Sequence, residues 1–162
     1  MSRRPSGPPP SFRYLNARQV EVICQYLIDR YFQYAATPHE LRHVVYRDRL
    51  EAALAAPAHT FEGKDLFPTI SDKAACLFRS LVKDHPFLDG NKRTAVVATI
   101  VFLRINGHRA VARRGDLYRL ALRVARSRDN DAIMRYLRRW FHTRIRRLPH
   151  RAGERRRRRV ER

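Results

Sequence analysis

Between His85 and Arg93 the chain reads His-Pro-Phe-Leu-Asp-Gly-Asn-Lys-Arg. His85 is the side chain whose proton affinity suits abstraction near neutrality, so it is the candidate general base. Asp89 offers carboxylate oxygen to a hard metal ion. Gly90 permits a positive φ or a close approach of backbone to ligand. Asn91 stands where an apolar pattern predicts a helix start, and a helix start presents unpaired N–H groups and a positive dipole end, which together bind phosphate. Lys92 and Arg93 put cations in the first turn, where helix electrostatics disfavours them. Cations at that end point to an anion as their partner. Phe87 and Leu88 supply apolar anchors that fix the loop on a core. A capping turn accounts for any one of these residues; an anion-handling site accounts for the set.

Other constellations are weaker. Gly63-Lys64 lacks the upstream glycine and the following hydroxyl residue of a phosphate-binding P-loop. The histidines at 39, 43, 59, 108, 142 and 150 show no metal-ligand spacing, and two cysteines make a zinc site improbable.

The elements that must position the loop are helices. Asn16 and Gln19 form a capping-box pair, and Val20, Ile23, Leu27 and Tyr31 follow as a helical stripe that predicts a helix to about Tyr34. A second helix fits Arg47 to Ala56, with Leu50 and Leu54 on one face and Pro57 ending it. Residues 57–69 carry Pro, Gly and alternating apolar residues, which predicts a loop or small hairpin. Thr69 caps a third helix to Asp84, with Ile70, Ala74, Leu77, Phe78 and Leu81 inward. Asn91 is expected to cap a fourth helix that ends at Gly107 as the C′ glycine. Its run Ala95 to Leu103 is apolar nearly all round, which places it at the centre of the fold. Two further helices fit Asp116 to Arg126 and Asn130 to Thr143, the last with Ile133, Leu137 and Trp140 inward. No internal repeat occurs.

A chain of 162 residues that is 44% hydrophobic suits about one domain with a real core. Lys+Arg 35 against Asp+Glu 15 gives +20, and only four of the basic residues are lysines. Such charge favours polyanionic partners. Ten arginines against two glutamates from Arg144 to Arg162 carry +8 of it. Residues 144–162 are expected to be a disordered Arg-rich tail with non-specific nucleic-acid contact, and the Pro-rich residues 1–11 a flexible arm. Residues 12–143 form the folded domain. Cys24 and Cys76 sit in apolar helical patterns, which predicts reduced, buried thiols. The start of the chain has no apolar stretch of a secretory signal, and no run approaches the roughly 20 residues a membrane span needs. A cytoplasmic protein without membrane contact is expected.

The segment His85 to Arg93 resembles the central motif of the Fic/Doc (Fido) family, H-x-F-x-[D/E]-G-N-x-R-x-x-R, and more narrowly the death-on-curing (Doc) branch, H-x-F-x-x-x-N-K-R-T. The likeness extends over roughly residues 12 to 142, including Arg47 to Leu54, Thr60 to Thr69 and Phe102 to His108. It implies an all-α, compact domain of about six helices with a short flap hairpin or loop before the motif. The implied activity is nucleotide-dependent transfer onto a protein hydroxyl, with ATP and Mg²⁺. On this resemblance His85 is the general base and Phe87 the anchor. Asp89 holds Mg²⁺, and Gly90, Asn91, Lys92 and Arg93 hold phosphate. Thr60, Phe61, Glu62, Gly63, Lys64, Asp65, Leu66 and Phe67 form the flap that aligns the target.

Lys92 stands where AMP-transferring members have glycine, and Val96 where they have a second arginine. Both are Doc-like, and the Doc branch implies a toxin that phosphorylates a translation factor, elongation factor Tu. Asp89-Gly90 is instead the Fic-type pair, which leaves AMP transfer as the alternative. A basic nucleic-acid or ribosome-binding protein with a vestigial motif is the other. Glu62-Gly63 is the only Glu followed by Gly or Asn, and Ala58 stands four residues before it. The family's self-inhibiting helix, [S/T]-x-x-x-E-[G/N], is therefore not encoded, which implies a cognate antitoxin acting in trans.

Overall fold

The computed structural model describes residues 11–31 and 45–149. Among these residues the all-α expectation holds: there are six α-helices, with two small antiparallel strand pairs. The Pro-rich arm up to residue 10, the end of the first helix beyond Tyr31 and the Arg-rich stretch from residue 150 lie outside the described residues.

Helix α1 (Ala17–Tyr31) begins at the expected capping box. Asn16 N–H donates to Gln19 Oε1, and Gln19 N–H to Asn16 Oδ1, each at 2.9 Å. The inward face is Val20, Cys24, Leu27 and Ile28, while Tyr31 is exposed. Helix α2 (Arg47–Ala55) buries Leu50, Ala53 and Leu54. A 3₁₀ turn with Pro57 buried then leads to β1 (Thr60–Phe61) and β2 (Lys64–Asp65), a hairpin in the predicted loop.

Helix α3 (Ile70–Lys83) starts on a Thr69/Asp72 capping box. It packs against α2, α4, α5 and α6 and buries ten of its residues, so it is as central as α4 (Asn91–Ile105). Helix α4 packs against α1, α3, α5 and β3 (His108–Ala110), but its apolar run is not covered on every side. Ala95, Ala98, Thr99, Phe102 and Leu103 face the core, but Ile100 is exposed and Val96, Val97 and Val101 are half-buried. Asn106 and Gly107 end it, Gly107 at φ +73°.

Helix α5 (Asp116–Arg126) and helix α6 (Asp131–Arg144) close the bundle, with Asn130 Oδ1 accepting from the N–H groups of Ala132 and Ile133. Ile133, Leu137 and Phe141 are the buried residues of α6. Trp140 is only half-buried, beneath the Arg144 guanidinium at 4.6 Å from its ring centroid. The chain does not leave the fold at Arg144. Strand β4 (Ile145–Arg147) pairs with β3 (His108–Ala110), and Leu148 N–H donates to Gly107 O at 2.8 Å. No helix of the described residues is long and apolar enough to cross a membrane.

Candidate active site

The loop between α3 and α4 carries the residues singled out by chemistry, and backbone geometry explains how it is held. Asp84 ends α3, its N–H donating to Ser80 O at 2.9 Å. His85 then takes φ +45°, the left-handed conformation that glycine usually supplies after a helix. The turn lifts the imidazole into solvent; His85 is exposed. A non-glycine residue there costs about 1–2 kcal/mol, and such strain persists where neighbouring structure over-determines it. One contact does so: Val45 bridges Phe87 in antiparallel fashion, with Tyr46 N–H donating to Pro86 O at 2.8 Å.

Phe87 is 3% exposed and is the apolar anchor that the sequence suggested. Asn91 has a different role from the expected cap. The N-cap of α4 is Gly90, at φ +82°, and no side chain caps the helix. Asn91, its first residue, turns its amide back onto the loop. Its Oδ1 accepts from Phe87 N–H at 3.0 Å and its Nδ2 donates to Phe87 O at 2.7 Å. The amide is committed to the loop, so any phosphate contact of Asn91 must come from its backbone N–H. Gly90 is required for its positive φ; a Cβ there would meet only ordinary van der Waals contacts, 3.5 Å from Cys24 Sγ and 3.6 Å from Ile28 Cγ1.

Asp89 is half-buried, with Oδ1 accepting from Gly90 N–H at 2.6 Å and its carbonyl facing Cys24 Sγ at 3.8 Å. Burial pushes the Cys24 thiol up to about 11, and Cys76 likewise, so both remain protonated. Lys92 and Arg93 are half-buried at the first turn. The Arg93 guanidinium lies between two aromatic rings, 5.6 Å from Tyr31 and 5.3 Å from Tyr118. Burial also raises the Asp84 carboxyl above its ordinary value, opposed by Arg79 and by the charge of His85. Tyr31, Tyr118 and Asp84 were not found in the sequence; the signal for Asp84 was only its adjacency to His85.

The hairpin forms with Glu62 at φ +49° and Gly63 at φ +75° in its turn, and Phe61 is 66% exposed. Its base is held at the N-terminal end of α3, whereas the loop follows the C-terminal end. A 14-residue helix separates them, about 20 Å. Residues 60–67 bond toward Lys73 and Arg138 instead. Lys73 is fully buried, its Nζ donating to Pro57 O at 2.9 Å and pairing with Asp65 Oδ2 at 3.3 Å. Arg138 donates to Leu66 O at 3.3 Å and lies over the Phe67 ring. The structure thus assembles residues 85–93 into one constellation and sets the expected flap apart from it. Nothing in the sequence singled out Lys73.

The model of the Fic/DOC family matches residues 14–103. A curated relative, Toxin Doc of Mycolicibacterium smegmatis (strain ATCC 700084 / mc(2)155), is 52% identical over 58 residues, which is 36% of this chain and 45% of that relative. The matched stretch is thus under half of either protein.

Proposed function

The chain belongs to the Fic/DOC family, and on that footing we propose a cytoplasmic toxin of a toxin–antitoxin pair. Its His85 loop would transfer the γ-phosphate of ATP to a hydroxyl of a translation factor, elongation factor Tu being the target that the resemblance implies. The observation that carries this reading is the start of α4. An exposed histidine, set by a left-handed turn, stands five residues before an uncapped helix N-terminus whose first turn holds Lys92 and Arg93.

In this reaction His85 accepts the proton of the target hydroxyl as its oxygen attacks the γ-phosphorus. The bond from that phosphorus to its bridging oxygen breaks, and ADP departs. The first-turn N–H groups, Lys92 and Arg93 neutralise the charge spread over the transferred group, and positioning supplies most of the remaining acceleration. Asp89 keeps one carboxylate oxygen beyond its bond to Gly90. No cluster of three metal-ligating side chains exists among the described residues. A lone carboxylate fits Mg²⁺ that arrives on the phosphates of ATP, not an all-protein cage. Bound by Asp89, the ion would add charge neutralisation on those phosphates.

Val96 supports γ-transfer, because its side chain on α4 gives no second phosphate donor. Asp89-Gly90, the Fic-type pair, is the observation that favours AMP transfer instead. The +20 charge alone favours a nucleic-acid binder, but that reading leaves the loop unexplained. Restraint in trans by an antitoxin is supported by the hairpin: Glu62-Gly63 makes its turn and belongs to no helix. The test is a cell lysate incubated with the protein, Mg²⁺ and ATP labelled at either phosphorus. Label from the γ position on a protein of translation-factor mass is expected. Label from the α position refutes phosphate transfer in favour of AMP transfer, and label from neither refutes both.

A further inference from the structure

The cleft between α5 and α6 sets cations against aromatic rings, and the transfer chemistry uses none of them. Arg119 and Arg123 stand one helical turn apart on α5, and Tyr136, Trp140 and Arg144 form an i, i+4 row on α6 that lines the same cleft. The Arg123 guanidinium lies over the Tyr136 ring, 4.3 Å from its centroid, and its Nη1 donates to Tyr136 Oη at 3.3 Å. Arg144 covers Trp140 at 4.6 Å. Both rings are half-buried, so each is fixed on the core and still reaches the cleft. Asp116 is the one carboxylate in the lining, and it is tied to Arg119 at 2.5 Å. Arg123 and Arg144 have no carboxylate partner among the described residues. The surrounding chain is equally basic: residues 109–147 hold thirteen arginines against three aspartates, +10 of the chain's +20.

We propose that this cleft binds single-stranded nucleic acid, with Arg119 and Arg123 on phosphates and an unpaired base stacked on the platform of Trp140 and Arg144. Cations beside aromatic rings are the pairing such a strand requires, because each base offers a flat π face and each linkage an anion. A guanidinium plane takes a base as an aromatic ring does, so the arginine over Trp140 extends the platform and does not block it. The cleft has a volume of about 220 Å³. That is below the roughly 300–1,000 Å³ of pockets for drug-sized ligands, and it suits one base at a time. A duplex keeps its bases stacked inside and leaves both rings unused. An acidic protein segment would satisfy the arginines, but its carboxylates have no use for the rings. The binding goes beyond the transfer reaction and does not depend on it; its failure leaves the reading of the His85 loop intact.

Trp140 is the single tryptophan, so its fluorescence reports on the cleft even though the arginine-rich C-terminus also attracts polyanions. The full-length protein is titrated with oligocytidylates of about eight nucleotides, as RNA and as DNA. The comparison probes are the DNA strand in a duplex and an abasic strand of equal charge. Cytosine keeps the probes apart from any site selective for adenine. The single strands should quench Trp140 to saturation, and the tighter of the two shows whether the natural strand is RNA or DNA. The abasic strand, held by phosphates alone, and the duplex should leave the emission nearly unchanged. Arg123→Ala with Arg144→Ala should weaken the quenching titration about tenfold or more. Arg126→Ala with Arg128→Ala removes the same charge from exposed positions outside the cleft and should weaken it far less. The comparison of base-bearing with abasic strands needs no variant, so it stands even where a substitution disturbs folding. No quenching by either single strand, equal quenching by the abasic strand or the duplex, or equal effects of the two arginine pairs overturns the proposal.

Discussion

Replacing Asn91 with alanine separates two accounts of the loop by magnitude. A helix-capping asparagine is worth about 1 kcal/mol. The structure gives Asn91 more to do: at 8% exposure its amide satisfies both the N–H and the carbonyl of Phe87, at 3.0 and 2.7 Å. Asn91→Ala therefore leaves two buried backbone groups without partners, each costing about 1–3 kcal/mol, so about 2–6 kcal/mol in all. Asn91→Asp resolves the two halves. Its carboxylate still accepts from Phe87 N–H, but sets its second oxygen against Phe87 O. A negative charge at a helix start returns only about 0.3–1 kcal/mol, so this variant should also be destabilised. Urea denaturation, followed by circular dichroism and by the single tryptophan, Trp140 on α6, measures both. An Asn91→Ala loss near 1 kcal/mol, or an Asn91→Asp variant as stable as the wild type, would refute the clasp around Phe87 and restore the simple cap.

His85→Gly should keep or slightly raise stability, because it releases left-handed strain of about 1–2 kcal/mol against a glycine entropy cost of about 0.5–1 kcal/mol. It should remove transfer by roughly 10²- to 10⁴-fold or more; a fall of more than about 4 °C in Tm, or retained transfer, counts against the assigned base. Lys73→Met should cost about 1–3 kcal/mol, since it deletes the bond to Pro57 O together with the buried charge. Asp65→Ala strands that ammonium and should cost more, about 3–5 kcal/mol; the reverse order in urea titrations means that Lys73 is not held by Asp65.

Much of the scaffold was legible because local chemistry decides it. Asn16 with Gln19, Thr69 with Asp72, and Asn130 each mark a helix start by side-chain oxygens that satisfy orphan N–H groups. Gly107 marks a helix end by its positive φ. The loop residues were legible as types, since a histidine, a carboxylate and two cations crowd one helix start. Their division of labour was not. Asn91 and Gly90 exchanged roles because capping depends on which residue adopts the non-helical φ, and Gly90 takes +82° there at no steric cost.

Burial was the less legible half, for a reason visible on α3 and α4. A stripe pattern reports how many faces are apolar, not which neighbours exist to cover them. The run from Ala95 to Leu103 is apolar nearly all round, yet α1, α3, α5 and β3 leave Ile100 exposed. Lys73 shows the converse. It lies on a buried face because Phe12 and Tyr14 close over it, their rings 4.9 and 5.5 Å from the ammonium, with Asp65 alongside. Those partners come from segments some 60 residues and 8 residues away, so no local window contains the contact. The same separation explains the hairpin. Its turn was readable from Glu62-Gly63, but its docking on Lys73 and Arg138, nearly a helix length from His85, follows from which end of α3 the preceding chain reaches. The chemistry at the loop was written in nine adjacent residues; the surfaces around it depend on contacts between distant ones.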